Sequence, residues 1–273
     1  MILLEQLNME GKNKIDVALD RIKYFEPEEG YYLAFSGGKD SIVCKELLKM
    51  AGVKFDSHYN HTTVDPPELI YYMRENHQDV IVEKPDITMW RLIEKKLMPP
   101  NRMVRYCCDV LKERGGEGRF VVTGVRWAES ARRKNTRKGV EMYINSKSKK
   151  TLDKKKIFIM SDNDEKRKMT ENCIIKGKYL LNPIIDWEDD DVWEFINSRN
   201  LPYCKLYDEG FERLGCVGCP LASSKQMKEE FKKYPQYKKN YIKAFDRMLK
   251  EREKKGKETT WKNGEEVMKW WLT

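Results

Sequence analysis

The chain is predicted to be an α/β protein: a Rossmann-like three-layer α/β/α sandwich with a mostly parallel sheet, followed by a C-terminal helical region. Three observations predict it. Short apolar runs at 31–35, 53–57, 79–82, 120–124, 157–160 and 179–182 alternate with segments of helical period at 41–51, 67–76, 88–97, 107–114 and 189–198. Such alternation implies parallel strands covered on both faces. The length of 273 residues allows one large domain, or a domain with a smaller lobe. Beyond residue 225 the strand signals stop and only helical patterns remain.

The elements follow in order. Residues 3–24 read as a mainly polar helix carrying Leu4, Leu7, Ile15, Ala18 and Ile22, and 1–27 is set apart as an N-terminal helix. The α/β domain is placed at 28–224. Its first strand ends in Phe35, and the next helix carries Val43, Cys44, Leu47, Leu48 and Ala51 at helical spacing. Asp186, Glu188, Asp189, Asp190 and Asp191 crowd the start of the helix at 189. Negative charge is favoured there by the helix dipole, a simpler account than a metal site. A helical subdomain is placed at 225–273, interrupted at Pro235. Tyr237, Tyr241, Phe245, Met248 and Leu249 form its apolar stripe, and Trp261, Trp270 and Trp271 are expected to cover the core or the site. His77 is expected on an exposed helix face, and no role is assigned to His58 or His61.

Charged residues make up 36% of the chain and hydrophobic ones 40%, a balance that suits a globular fold in water. No apolar run approaches membrane-spanning length, and Met1–Glu5 lacks the basic leader of a signal peptide. A cytoplasmic location without membrane attachment is therefore expected. The net charge is +9, with Arg132, Arg133, Lys134, Arg137, Lys138, Lys147, Lys149, Lys150 and Lys154–Lys156 concentrated in one stretch. This basic insertion near 132–156 reads as a loop, either a solvated surface or a contact for nucleic acid.

Between the first strand and its helix stands Ser36-Gly37-Gly38-Lys39-Asp40-Ser41. Two glycines let the backbone turn tightly and present its N–H groups. The helix N-terminus adds unpaired donors and partial positive charge. Lys39 supplies a full charge, and Ser36 and Ser41 supply hydroxyls. The residue after Lys39 is Asp, so this is not the Walker pattern, nor is it the Gly-x-Gly-x-x-Gly fingerprint. The combination favours a phosphate-rich ligand. Arg126 and Arg133 follow the strand at 120–124, and guanidinium groups grip phosphate through two parallel bonds. Either arginine could instead pair with Glu129. Asp65 could hold a ribose hydroxyl or cap the helix that begins near Pro66.

Seven cysteines argue for thiols or metal ligands over a disulfide framework. Tandem Cys107-Cys108 and the spaced pair Cys216-Val217-Gly218-Cys219 form a candidate metal set. This spacing suits a four-iron cluster better than structural zinc, with buried free thiols as the remaining reading. Cys44, Cys173 and Cys204 are expected to be packing residues.

The string Ser36–Ser41 resembles the PP-loop of the ATP-pyrophosphatase superfamily. The chain is similar, more narrowly, to the phosphoadenosine/adenosine phosphosulfate (PAPS/APS) reductase family, over roughly residues 28–225. Arg105-Tyr106-Cys107-Cys108 with Leu111-Lys112 carries that likeness, as does Leu206–Phe211 leading into Gly215–Pro220. So do Thr123-Gly124-Val125-Arg126 with Glu129, Ser130 and Arg133, Thr62–Glu68, and Asn182–Trp187 with Asp191-Val192-Trp193. The resemblance implies an adenine-nucleotide site built from Ser36, Gly37, Gly38, Lys39, Asp40, Ser41, Thr62, Thr63, Asp65, Gly124, Arg126, Ser130 and Arg133. Lys39, Asp40, Arg126 and Arg133 would carry the catalysis. The implied cofactors are ATP or a phosphosulfate (PAPS or APS), Mg²⁺, and a 4Fe-4S cluster on Cys107, Cys108, Cys216 and Cys219, with zinc the lesser option.

Three functions follow as expectations. The first is cleavage of the α–β bond of ATP, with pyrophosphate release and sulfur transfer from a donor protein, as in nucleic-acid modification. The second is reduction of a phosphosulfate to sulfite. That chemistry uses a cysteine near the C-terminal tail in the family, whereas the last cysteine here is Cys219. The third is a nucleotide or iron–sulfur sensor without catalysis.

Overall fold

The computed structural model describes residues 11–113, 115–143 and 178–273. The strand expected at 157–160, Cys173, and the basic residues from Lys147 to Lys156 lie outside them, as do residues 1–10, where the N-terminal helix is expected to begin.

The described elements are α1 (Lys14–Tyr24), β1 (Tyr31–Ala34), α2 (Lys39–Ala51), β2 (Phe55–Asn60), α3 (Pro67–Asn76), β3 (Ile81–Glu83), α4 (Met89–Lys96), α5 (Tyr106–Leu111), β4 (Phe120–Val122), α6 (Ala131–Thr136), β5 (Val140–Tyr143), β6 (Lys178–Leu181), α7 (Asp189–Ser198), α8 (Ser224–Lys233), α9 (Pro235–Lys254) and α10 (Gly264–Trp271). The fold is the expected α/β arrangement, a mostly parallel six-stranded sheet with helices on both sides and further helices at the C-terminal end.

The strand order is β3-β2-β1-β4-β6-β5. β1 pairs in parallel with β2, placing Tyr31 opposite Phe55, and with β4, placing Leu33 opposite Val122. β6 continues in parallel beside β4. β5 runs antiparallel at the edge, with Val140 opposite Leu181. The sequence reading placed this strand and α6 inside a loop. β5 forms because Asn182 donates its amide to the Lys138 carbonyl at 2.7 Å, and its backbone N–H to Gly139 at 2.7 Å. Strand order reverses between β1 and β4, the crevice where such sheets hold ligands beyond their carboxyl ends.

Contacts group the chain into two compact units that interleave along the sequence. Of the described residues, the first comprises 11–59, 72–81, 115–143 and 178–209, and the second 60–71, 82–113 and 210–273. The first unit contains most of the sheet. Its buried residues include Tyr31, Leu33, Val43, Leu47, Leu48, Trp187 and Phe195. α7 starts on Glu188, whose carboxylate and that of Asp191 form a reciprocal capping box, so the acidic turn is favoured by local geometry as well as by the dipole.

The second unit is helical. α9 packs its Tyr241, Ala244, Phe245 and Met248 stripe against α4 and α10, and all four are fully buried. Pro235 occupies the first turn of α9, where its missing N–H costs nothing. Trp271 is buried and donates Nε1 to the Pro100 carbonyl at 2.6 Å. Trp270 instead stands 44% exposed, with its ring beside that of Trp261, so it covers no core.

His77 is also placed differently from its expected exposed position. It is only 8% exposed, because it follows the last turn of α3 and folds back under Phe35. Its Nδ1 lies 3.3 Å from Lys45 Nζ and its Nε2 lies 2.7 Å from the Tyr72 hydroxyl. Burial, then the Lys45 charge, push its pKa down to about 4.

Candidate functional site

Ser36–Ser41 leave β1 and enter α2 inside the first unit. Gly37 sits at φ +72°, a region that L side chains rarely adopt. Gly38 is the N-cap of α2, and no side chain caps it. Ser41 folds back to donate Oγ to the Gly38 carbonyl at 2.8 Å, while Ser36 N–H donates to Ser41 Oγ at 3.3 Å. The Lys39 N–H donates to the Tyr207 hydroxyl at 2.9 Å.

Lys39, Asp40 and Arg126 come together here. Lys39 Nζ reaches Asp189 Oδ1 at 2.8 Å. Arg126 donates Nε to Asp40 at 2.7 Å, Nη1 to the Trp187 carbonyl at 3.1 Å and Nη2 to Asp189 at 2.8 Å. Arg126 is 1% exposed. Burial disfavours its charge, but Asp40 and Asp189 outweigh that and raise its pKa. Partial burial likewise works against the charge of Asp189, and the bonds from Lys39 and Arg126 win, holding its carboxyl below the usual range. The sequence reading passed over Asp189. Its link to Lys39 spans 150 residues, and the acidic run around it is sufficiently explained by helix capping.

Gly124 is required by proximity. A Cβ there would meet Asp40 Cβ at 2.7 Å and the Asp40 carbonyl carbon at 2.9 Å. Arg133 meets Arg126 through Glu129, whose Oε1 accepts from the Arg126 N–H at 3.1 Å and from the Arg133 guanidinium. It lies on α6 and pairs with Glu129, and Ser130 caps α6 by accepting from the Arg133 N–H at 3.2 Å.

Thr62, Thr63 and Asp65 belong to the second unit, with the four cysteines. Asp65 accepts from the Thr62 N–H at 2.7 Å, so its carboxylate closes its own turn. Thr63 adopts φ +66° and accepts from the Met89 N–H at 3.0 Å, holding the start of α4. Cys216 donates Sγ to Thr62 Oγ1 at 3.4 Å. The tandem Cys107 and Cys108 begin α5, and Val217 N–H donates to the Val64 carbonyl at 2.8 Å, fixing the spaced pair.

The four sulfurs lie within electrostatic reach of one another. A hydrogen bond with Cys108, then burial, then the charges of Cys108, Cys216 and Cys219 hold the Cys107 thiol protonated. The same bond, acting against burial and helped by Lys112 and Arg105, lowers Cys108. Burial raises Cys216, with Lys112 opposing. Among the described residues, no three His, Cys, Asp or Glu side chains form a closed ligand set. Lys112 lies beside Cys216 and Cys219, and their charges hold its ammonium protonated. Cys44 and Cys204 are fully buried and belong to the first unit.

The fold and the loop define a doubly wound α/β protein with a glycine turn where strand order reverses. The phosphoadenosine phosphosulfate reductase domain family matches residues 30–222, and the chain belongs to that family. Two uncharacterized proteins of Methanocaldococcus jannaschii are each 26% identical to it, over 216 and 227 residues. The matches take in 74% and 78% of this chain but 38% and 48% of those proteins, so the chain spans less than half of either. An adenosine 5′-phosphosulfate reductase of Staphylococcus haemolyticus is 27% identical over 203 residues, 67% of this chain and 68% of that protein. Among solved structures, the phosphoadenylyl-sulfate reductase of Candida auris in its phosphate complex is similar with a TM-score of 0.44. It is 15% identical and covers 77% of this chain and 96% of its own.

Proposed function

We propose that the chain is an adenylate-processing enzyme that binds ATP, with its polyphosphate on the Ser36–Ser41 loop, and cleaves the α–β bond. The observation that carries this reading is the N-terminus of α2, whose N-cap Gly38 supplies no side-chain cap and whose Lys39 N–H meets the Tyr207 hydroxyl, set by Gly37 at φ +72° where strand order reverses. Backbone donors, the Ser36 and Ser41 hydroxyls and the Lys39 ammonium converge on one short turn there. Such a turn presents donors and positive charge to phosphate oxygens.

In the proposed reaction an oxygen of the acceptor attacks the α phosphorus. The bond from that phosphorus to the bridging oxygen breaks, and pyrophosphate leaves with the electron pair. Lys39 and the loop N–H groups offset charge on the leaving group, aided by the Mg²⁺ that accompanies ATP. Asp40 and Asp189 are engaged by Arg126 and Lys39, so in this role Arg126 positions the loop. A sulfur nucleophile from a donor protein then displaces AMP from the adenylated acceptor. Cys107, Cys108, Cys216 and Cys219 would hold a 4Fe-4S cluster, which supplies thiolate-bound iron. The described part of the basic segment, Arg132 to Lys138, offers charge to a nucleic-acid acceptor.

A second reading is reduction of a phosphosulfate to sulfite, favoured by the likeness to the Staphylococcus haemolyticus reductase. One experiment separates the two. Purified protein is given ATP with candidate acceptors, or a phosphosulfate with a dithiol, and pyrophosphate and sulfite are both measured. Pyrophosphate release supports the first reading and sulfite release the second. Nucleotide binding without either product would favour a sensor module.

A further inference from the structure

We infer that the exposed face of α8 is a docking surface for the phosphate backbone of a nucleic acid. This inference is independent of the adenylate reading. Lys225, Lys228, Lys232 and Lys238 line an open groove of about 480 Å³ together with one carboxylate, Glu229, and with Phe231 and Leu272 on its apolar side. All four lysines are exposed. Lys232 pairs with Glu229 at 2.7 Å. Lys225, Lys228 and Lys238 make no ion pair among the described residues. Residues 224–257 hold thirteen Lys and Arg against five Asp and Glu, so this stretch carries most of the chain's net charge of +9.

Spacing and chemistry choose the partner. Positions 225, 228 and 232 fall on one face of α8, a row about 10 Å long at the rise of an α-helix. Phosphates on one strand of a duplex advance about 3.4 Å each, so the row spans about three of them. A membrane surface is disfavoured, because a helix that lies on lipid needs an exposed apolar face. The apolar residues of α8, Met227 and Phe231, are buried in the helical core of their own unit. A discrete acidic site is also disfavoured, because a row of exposed lysines over an open groove, only Lys232 of them paired, offers charge without fixed geometry.

The test measures fluorescence anisotropy of a labelled 16-mer, single-stranded and duplex, with full-length protein between 50 and 200 mM salt. The variant Lys225→Glu/Lys228→Glu/Lys238→Glu is expected to bind the duplex at least tenfold more weakly at 100 mM salt. The slope of log affinity against log salt is expected to flatten by about 2 to 3, since each phosphate contact contributes about 0.9. The Lys→Gln triple variant, with thermal unfolding unchanged, is expected to move both quantities in the same direction. Adenosine nucleotide binding should be unaltered, which keeps this result separate from that of the loop. Wild-type affinity and slope retained in both variants would overturn the inference. So would loss of binding on Arg132→Ala/Lys134→Ala alone, or equal affinity for anionic vesicles or a polyglutamate peptide.

Discussion

Arg126 donates its Nε to the Asp40 carboxylate at 2.7 Å, tying the chain after β4 to the first turn of α2. The same guanidinium holds Asp189, which holds Lys39, so one buried cation sets three of the charges around the glycine loop. The loop is thus fixed from behind by its own unit.

Arg126→Ala is expected to destabilise the protein by about 3 kcal/mol, because it removes a buried cation, opens a cavity and leaves Asp40 unpaired. Arg126→Lys should restore only part of this, since a point charge cannot satisfy two carboxylates and a carbonyl in one plane. Asp189→Ala should cost under about 1 kcal/mol, because the Asp189 side chain is 61% exposed. Urea unfolding of the three variants checks the order.

Two glycines should separate folding from binding. Gly124→Ala places a Cβ 2.7 Å from Asp40 Cβ, and backbone must shift, for a loss of about 1–3 kcal/mol. Gly38→Ala meets nothing nearer than the Tyr207 hydroxyl at 3.4 Å, so the fold should hold. Its added methyl would crowd a phosphate approaching the loop, and ATP affinity should fall at least tenfold. Calorimetric titration beside thermal unfolding tests the pair.

His77 should make stability depend on pH. Its folded pKa of about 4 lies below the unfolded value of 6.5, because burial and Lys45 disfavour its protonation. The unfolded chain therefore binds more protons between those limits. The contribution is complete above about pH 6.5 and lost as pH falls toward 4, to a total of roughly 3 kcal/mol. In His77→Gln the fall in stability across this window should be clearly smaller, as read from urea midpoints at closely spaced pH values.

Anaerobically purified protein is expected to be brown and to carry about four irons per chain. Cys108→Ser and Cys216→Ser should each lose the colour, whereas Cys44→Ser should keep it. Iron and zinc analysis with absorbance spectra decides this. A colourless wild-type protein with zinc or without metal would remove the cluster.

Much of the architecture was legible in local pattern. The strand at 31–35, the helix from the loop to Ala51 and the α9 stripe each declare themselves in consecutive residues. The family likeness rested on short strings such as Ser36–Ser41 and Cys216–Cys219. β5 was missed because its neighbours are basic and polar, and its pairing depends on Asn182, some forty residues on. His77 was misplaced because a single histidine after a helix looks the same whether its ring turns outward or inward. Asp189 was hidden among acids that a helix N-terminus favours on its own.

Alternating apolar runs and a glycine turn before a helix were enough to fix the class of fold and the position of the glycine loop, because both arise from backbone sterics and burial within a few residues. Which charges meet was settled only in three dimensions. Asp40, Arg126 and Asp189 are remote in sequence and become neighbours only when β1 and β4 pair and α7 packs beside α2. The same folding gathers Cys107, Cys108, Cys216 and Cys219 within their own unit. An electrostatic interaction depends on distance in space, and a linear chain holds no record of that distance until its strands and helices have packed.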